Sequence, residues 1–246
     1  MGEHYRGLGY RFAWDARNLR YRTADRLAAE PERKRRTKPW KPGPTLDQGR
    51  TGACTAFGTR HAYNATPHGH KASEWIQPYD LYRKIVLADG WAENDHEATG
   101  AIEGMQSGSS VLAACQVMRD LKVIDGYSWF DSSETAADFI TWTEGSGLVI
   151  GTDWHQGMSE PDQGGVVRPS GRLLGGHLYF LTWYDASRGA FLMQQSWGTW
   201  GIAHPWYPAA CPTGFAWLLG EDLNMLIQQR QGELAAWVEK RRRHLS

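Results

Sequence analysis

Apolar residues recur at helical spacing in five stretches of the chain. Ala56, Phe57, Ala62 and Tyr63 continue from Cys54 with no break except Gly58, and Pro67 stops the run. Residues 74–86 and 110–121 repeat the pattern on either side of a Gly-, Glu- and Asp-containing stretch, 88–108, and 135–144 predicts a further helix. Short apolar runs over 121–127 and 148–152 predict strands. His177 opens a longer β-rich run, 178–184, which a turn over 185–189 joins to 190–195; the pair predicts a hairpin that carries His177 toward Gln195. The glycine-rich residues 158–176 predict a loop that overhangs the His177 end of a cleft. Leu223, Leu226, Ile227, Leu234, Trp237 and Val238 predict a C-terminal helix over 221–243, whose closing Lys240, Arg241, Arg242 and Arg243 suit the negative end of a helix dipole.

Composition narrows the class. A chain of 246 residues that is 41% hydrophobic can bury a full core in one sizeable domain. No run of 18 apolar residues occurs and Met1 to Arg6 hold no apolar signal core, so neither membrane insertion nor export is expected, and the setting reads as cytoplasm or a phage particle. The net charge is zero but unevenly spread. Residues 1–43 hold 12 Lys and Arg against 5 Asp and Glu, which divides the chain into a basic N-terminal arm and linker, 1–43, and a domain over 44–246 that ends in the C-terminal helix. The densest run, Arg33-Lys34-Arg35-Arg36-Thr37-Lys38, offers phosphate contacts. No aromatic-interleaved reader accompanies it, so it reads as a solvated linker before it reads as a nucleic-acid site. The three cysteines show no CxxC spacing, which suits a reducing compartment or a fold that needs no staples.

Most common chemistries lack their signatures. P-loop, HExxH, GxSxG and dinucleotide fingerprints are absent, and His61, His68 and His70 have no nearby Cys or paired carboxylates, so no metal or cofactor is expected. Trp75, Trp91, Trp129, Trp142 and Trp154 read as core or cleft walls, and Cys115 as core packing. The stretch Gln48-Gly49-Arg50-Thr51-Gly52-Ala53-Cys54-Thr55-Ala56-Phe57 differs in kind. It sets a thiol at a helix N-terminus, where the dipole favours thiolate, six residues after a glutamine whose amide can join the Cys54 backbone N–H around a developing oxyanion. Gly175-Gly176-His177 supplies an imidazole far away in sequence, and the hairpin after it closes on Ser196-Trp197-Gly198-Thr199-Trp200-Gly201.

Taken in order, Gln48, Cys54 in a Gly-x-Cys-x-Ala-Phe setting, the strand-opening Gly176-His177 and the Ser-Trp-Gly-x-x-Trp-Gly block resemble the papain-like (C1) cysteine peptidases, over residues 44–225. Residues 108–121 are similar to the internal helix of that family, which follows a Gly-x-Ser start. The resemblance implies an α+β, two-lobed fold with a helical lobe carrying Cys54 and a β-rich lobe carrying His177. It also implies thiol-dependent hydrolysis of peptide bonds in a polypeptide substrate, with Cys54 as nucleophile, His177 as its base and acid, and Gln48 as oxyanion donor. Gln195 stands where the family has the asparagine that orients the histidine, Trp197 would shield that bond from water, and Gly176 joins Trp197 on the substrate side. Thr51 and Thr55 replace a half-cystine and a tryptophan of the family pattern. The long inhibitory propeptide of extracellular members is not expected of so short an arm. The same fold also hosts peptidoglycan amide hydrolysis, and Gln195 leaves open a catalytically weakened binding or assembly module, as in a phage particle. Nothing in the sequence sets the oligomeric state.

Overall fold

The computed structural model describes residues 7–12, 38–65, 76–90, 108–141, 146–229 and 234–238. At its centre is helix α1 (Cys54–Asn64), all eleven residues of which are buried. A helix without a polar face must be covered on every side, and α1 is covered by α2 (Pro78–Asp89) and α3 (Val111–Asp120) on one flank and by strand β5 (Leu173–Asp185) on the other. Its neighbours have clear end signals. Pro78 opens α2 and Gly90, in the left-handed region at φ 68°, closes it. Ser110 caps α3 by accepting the Ala113 N–H at 3.0 Å, a bond worth about 1 kcal/mol.

Eight strands among the described residues build one sheet. Its strands are β1 (Lys38–Pro39), β2 (Gly126–Phe130), β3 (Leu148–His155), β4 (Val166–Val167), β5, β6 (Ala190–Gln194), β7 (Phe215–Leu219) and β8 (Leu234–Val238), in the order β2-β8-β3-β5-β6-β7-β4 with β1 against β5. Only the short β4–β7 pair is parallel. The thirteen-residue β5 is the spine, since it pairs with β3, β6 and β1. Helices α4 (Ser133–Thr141) and α5 (Gly220–Gln229) pack on the sheet side. One apolar cluster joins α1–α3 to Val149, Leu178 and Phe180, while a second gathers α4, α5 and the facing strands around Trp154, Tyr179 and Trp197. The two-lobed α+β arrangement is thus present, with Cys54 in the first cluster and the strand bearing His177 on the boundary. Trp40 pins the chain entering the domain: its indole N–H donates to the Ile140 carbonyl at 3.0 Å, and its own carbonyl accepts from Thr182 Oγ1 at 2.9 Å.

Several boundaries differ from expectation. The strand expected over 121–127 starts only at Gly126, because the chain turns directly after α3 with Lys122 at φ 59°. The loop expected over 158–176 is partly structured: β4 lies within it, and residues 173–176 already belong to β5, pairing with the end of β3. The helix expected over 221–243 ends at Gln229, and Leu234–Val238 is a strand filling the place between β2 and β3. Leu-Ala-Ala-Trp-Val is a short apolar run that periodicity alone cannot assign, and two otherwise unpaired strand edges decide it. Residues 239–243 of that expected helix lie outside the described residues. Among the described residues no helix is long and apolar enough to cross a membrane.

Helix α1 and strand β5 approach closely at Gly58, where an added Cβ would fall 2.3 Å from Leu178 Cδ2. Gly58→Val should therefore destabilise the fold by roughly 1–3 kcal/mol through overpacking. The shift of the urea midpoint measures it, and a midpoint equal to that of the parent chain would show that α1 and β5 are not held this closely.

Candidate active site

Cys54 is the first residue of α1, and the turn before it is stitched to the far lobe. The Gln48 N–H donates to the Ser196 carbonyl at 2.9 Å and the Gly198 N–H to the Leu46 carbonyl at 3.1 Å, so the glutamine loop is tied to the Ser-Trp-Gly block. Gln48 is completely buried. Its Nε2 donates to the carbonyls of Thr51 at 2.8 Å and Gly7 at 3.1 Å, while its Oε1 has no partner among the described residues.

His177 lies on β5 opposite Thr152, and its Nε2 is 2.5 Å from Gln195 Oε1. The Gln195 Nε2 faces the Met193 sulfur at 3.3 Å, which fixes the amide with its carbonyl toward the ring. His177 therefore donates from Nε2 and carries its lone pair on Nδ1. That nitrogen has no hydrogen-bond partner among the described residues. The glutamine carbonyl thus reaches the ring across its two-methylene stem. Trp197 stacks on the imidazole with centroids 4.5 Å apart and planes 26° from parallel, and Trp154 meets it edge-on at 5.1 Å. Gly176, the residue before, pairs with Asp153, and its carbonyl accepts the Tyr10 N–H at 3.1 Å.

Burial decides the charge state. Desolvation pushes the Cys54 thiol up to about 11, against backbone hydrogen bonds from Leu178, Gly9 and Thr55 that favour the thiolate. Desolvation likewise lowers His177 to about 3, although the Gln195 bond acts the other way. The helix-end thiolate expected from the sequence is outweighed, because a fully buried sulfur loses more hydration than a dipole of about half a charge returns. The thiol touches the main chain of Leu178, the residue next to His177, yet no hydrogen bond joins the sulfur to Nδ1. Both groups are neutral here.

Part of that burial comes from residues that no motif marks. Residues 7–12 run between the lobes: the Ser109 N–H donates to the Gly9 carbonyl at 2.7 Å and the Arg11 N–H to the Ser109 carbonyl at 2.8 Å, while Tyr10 reaches across to Gly176. The available signal is the alternation Gly7-Leu8-Gly9-Tyr10 inside a segment whose charge otherwise marks it as arm. Trp154 is buried, as a core or cleft wall should be, but its contact with His177 has no sequence signature. Cys115 and Cys211 are buried thiols rather than half-cystines, and no cluster of three or more His, Cys, Asp or Glu that could hold a metal ion occurs among the described residues. His68, His70, Trp75, Trp91, Trp142 and the segment Arg33 to Thr37 of the basic run lie outside the described residues.

This architecture is the papain-like fold. Xylellain, a cysteine protease from Xylella fastidiosa, superposes with a TM-score of 0.60 at 18% identity, over 98% of this chain and 100% of that one. Procathepsin L2 from the Tenebrio molitor larval midgut does so at 0.59 and 14%, over 94% and 74% of the two chains. The bromelain protease of Ananas comosus gives 0.53 and 13%, over 81% and 95%. No sequence-family description and no curated protein matches the chain.

The buried histidines set a pH dependence of stability. An unfolded imidazole takes up a proton below pH 6.5, whereas His177 and His61, both lowered to about 3 by desolvation, stay neutral in the folded chain. The unfolded state therefore binds more protons between pH 6.5 and 3, and stability falls on acidification through that window by on the order of 2–3 kcal/mol per pH unit for the pair. Urea midpoints measured between pH 7 and 4 should fall accordingly, and less steeply in His177→Phe, which cannot titrate. Equal slopes for the two chains would contradict a neutral buried His177.

Proposed function

We propose that the protein hydrolyses peptide bonds in polypeptides through Cys54 and His177. The observation that carries this reading is the bond from His177 Nε2 to Gln195 beneath Trp197, which leaves the lone pair on Nδ1 as the proton acceptor beside the strand that touches the Cys54 sulfur. The likeness in fold to cysteine proteases supports it. In the reaction, Nδ1 takes the thiol proton as Sγ bonds to the substrate carbonyl carbon. The carbonyl oxygen gains the negative charge and is held by the Gln48 amide and the Cys54 N–H. Collapse of this adduct breaks the C–N bond, and the imidazolium gives its proton to the leaving amine. Water, deprotonated by Nδ1, then attacks the thioester, releasing the acid and returning the proton to sulfur. Trp197 and Trp154 keep water off the His177–Gln195 bond, and Gln195 holds the tautomer that makes Nδ1 basic.

A second reading, a module that binds peptides without cutting them, draws on the neutral thiol and the missing sulfur–Nδ1 bond. Turnover of a fluorogenic peptide library separates the two. Cys54→Ser should abolish hydrolysis in a chain that still folds, and equal rates in parent and variant would reject the thiol mechanism. Gln48→Ala should lower kcat about ten- to a thousandfold if one oxyanion donor is lost. Because Gln195 already reaches the ring, Gln195→Asn should withdraw the carbonyl and cut kcat/KM by roughly tenfold or more. An unchanged or higher kcat/KM would show that Gln195 does not orient His177.

A further inference from the structure

His61 is a fully buried histidine that the proposed reaction does not use. It lies about two turns after Cys54 on the same face of α1. Its Nε2 accepts the Leu46 N–H at 3.1 Å, so the ring is neutral with its proton on Nδ1, and that proton has no hydrogen-bond partner among the described residues. Burial holds this state by lowering His61 to about 3, and the charge of Arg60 acts the same way. The Nε2 lone pair is therefore available throughout the neutral range. An apolar side chain would fill the same place without an orphaned donor, so what the imidazole adds is the bond to Leu46. That bond reaches the loop carrying Gln48. On its far side the loop is paired with the Ser-Trp-Gly block: the Leu46 carbonyl accepts from Gly198, Asp47 pairs with Trp197, and the Gln48 N–H donates to Ser196. A Cβ on Gly198 would fall 2.7 Å from Asp47 Oδ2, so this pairing has little slack. On the helical side the Tyr79 hydroxyl of α2 donates to the Gln48 carbonyl at 3.2 Å, and His61 supplies the bond from α1, the helix that holds Cys54.

We propose that His61 is a positioning residue: by holding Leu46 against α1 it sets the register between the Gln48 amide and the Cys54 backbone N–H. The two donors assigned above to the oxyanion belong to different pieces of the chain, one to the loop and one to the helix. They meet at one oxygen atom when loop and helix keep a fixed offset, and a displacement of about 1 Å can cost on the order of a hundredfold in rate. His61 acts on that offset through the main chain of Leu46. The inference rests on the hydrolytic reading for its effect on rate, and on the Leu46 bond alone for its effect on the loop.

The test compares His61→Leu, which removes the acceptor, with His61→Gln, whose side-chain carbonyl offers another in its place. Amide hydrogen exchange in the full resting chain reads the tether without turnover. The Leu46 N–H should exchange at least about tenfold faster in His61→Leu while the amides of α3 keep their rates, and His61→Gln should restore most of the protection. On a substrate taken from the fluorogenic peptide library, His61→Leu should lower kcat by about tenfold or more and leave KM within about twofold. In a Gln48→Ala background the same substitution should cost almost nothing further, because a displaced donor and a missing donor are equivalent. The proposal fails if Leu46 exchange is unchanged, if amides speed throughout the fold, if His61→Gln behaves as His61→Leu does, or if the two losses in kcat multiply. If the parent chain hydrolyses no peptide while His61→Leu still frees Leu46, the hydrolytic reading falls and His61 stands as the tether of the Gln48 loop.

Discussion

Everything at the cleft depends on how closely α1 lies against β5. Cys54 opens the helix and His177 sits on the strand, and both positions are set where Gly58 lets the Leu178 side chain press against the helix backbone. A larger residue there would lift the helix N-terminus away from the strand. The reach of Gln48 and Gln195 would then no longer match, because both are anchored to the loops that flank this contact. The burial of all eleven α1 residues follows from the same constraint, since a helix wedged between two lobes keeps no solvent face.

Desolvation governs the chemistry of the cleft. It outweighs the helix dipole at Cys54 and the Gln195 hydrogen bond at His177, holding a neutral thiol beside a neutral imidazole. Water reaching the sulfur eases that cost, and the backbone bonds from Leu178 and Thr55 then favour the thiolate. The enclosure by Trp154 and Trp197 is different in kind. It excludes water from the Nε2–Gln195 side of the ring and strengthens that bond.

The sequence was most legible where chemistry and periodicity agree. The thiol helix, the His177 hairpin and the 111–120 helix all follow from local patterns with clean breaks. Leu234–Val238 shows the opposite case: its apolar residues suit a helix face, and only the unpaired edges of β2 and β3, distant in sequence, make it a strand. Gln195 at an asparagine position was readable as a departure, yet whether a longer stem still reaches the ring depends on strand geometry that no motif encodes. The segment over the cleft was hidden for a related reason, since its glycines matter through what they avoid touching, and that is a property of Thr51, Gly52 and Gly108 as much as of residues 7–12.

The chemistry of the cleft turns on one proton. If Gln195 and burial together set the state of His177, then 15N NMR of the imidazole in the resting chain should show a neutral ring with its proton on Nε2 and a bare Nδ1, unchanged from about pH 8 down to about pH 5. A ring protonated on Nδ1, or one that titrates near the ordinary histidine value of about 6.5, would contradict it.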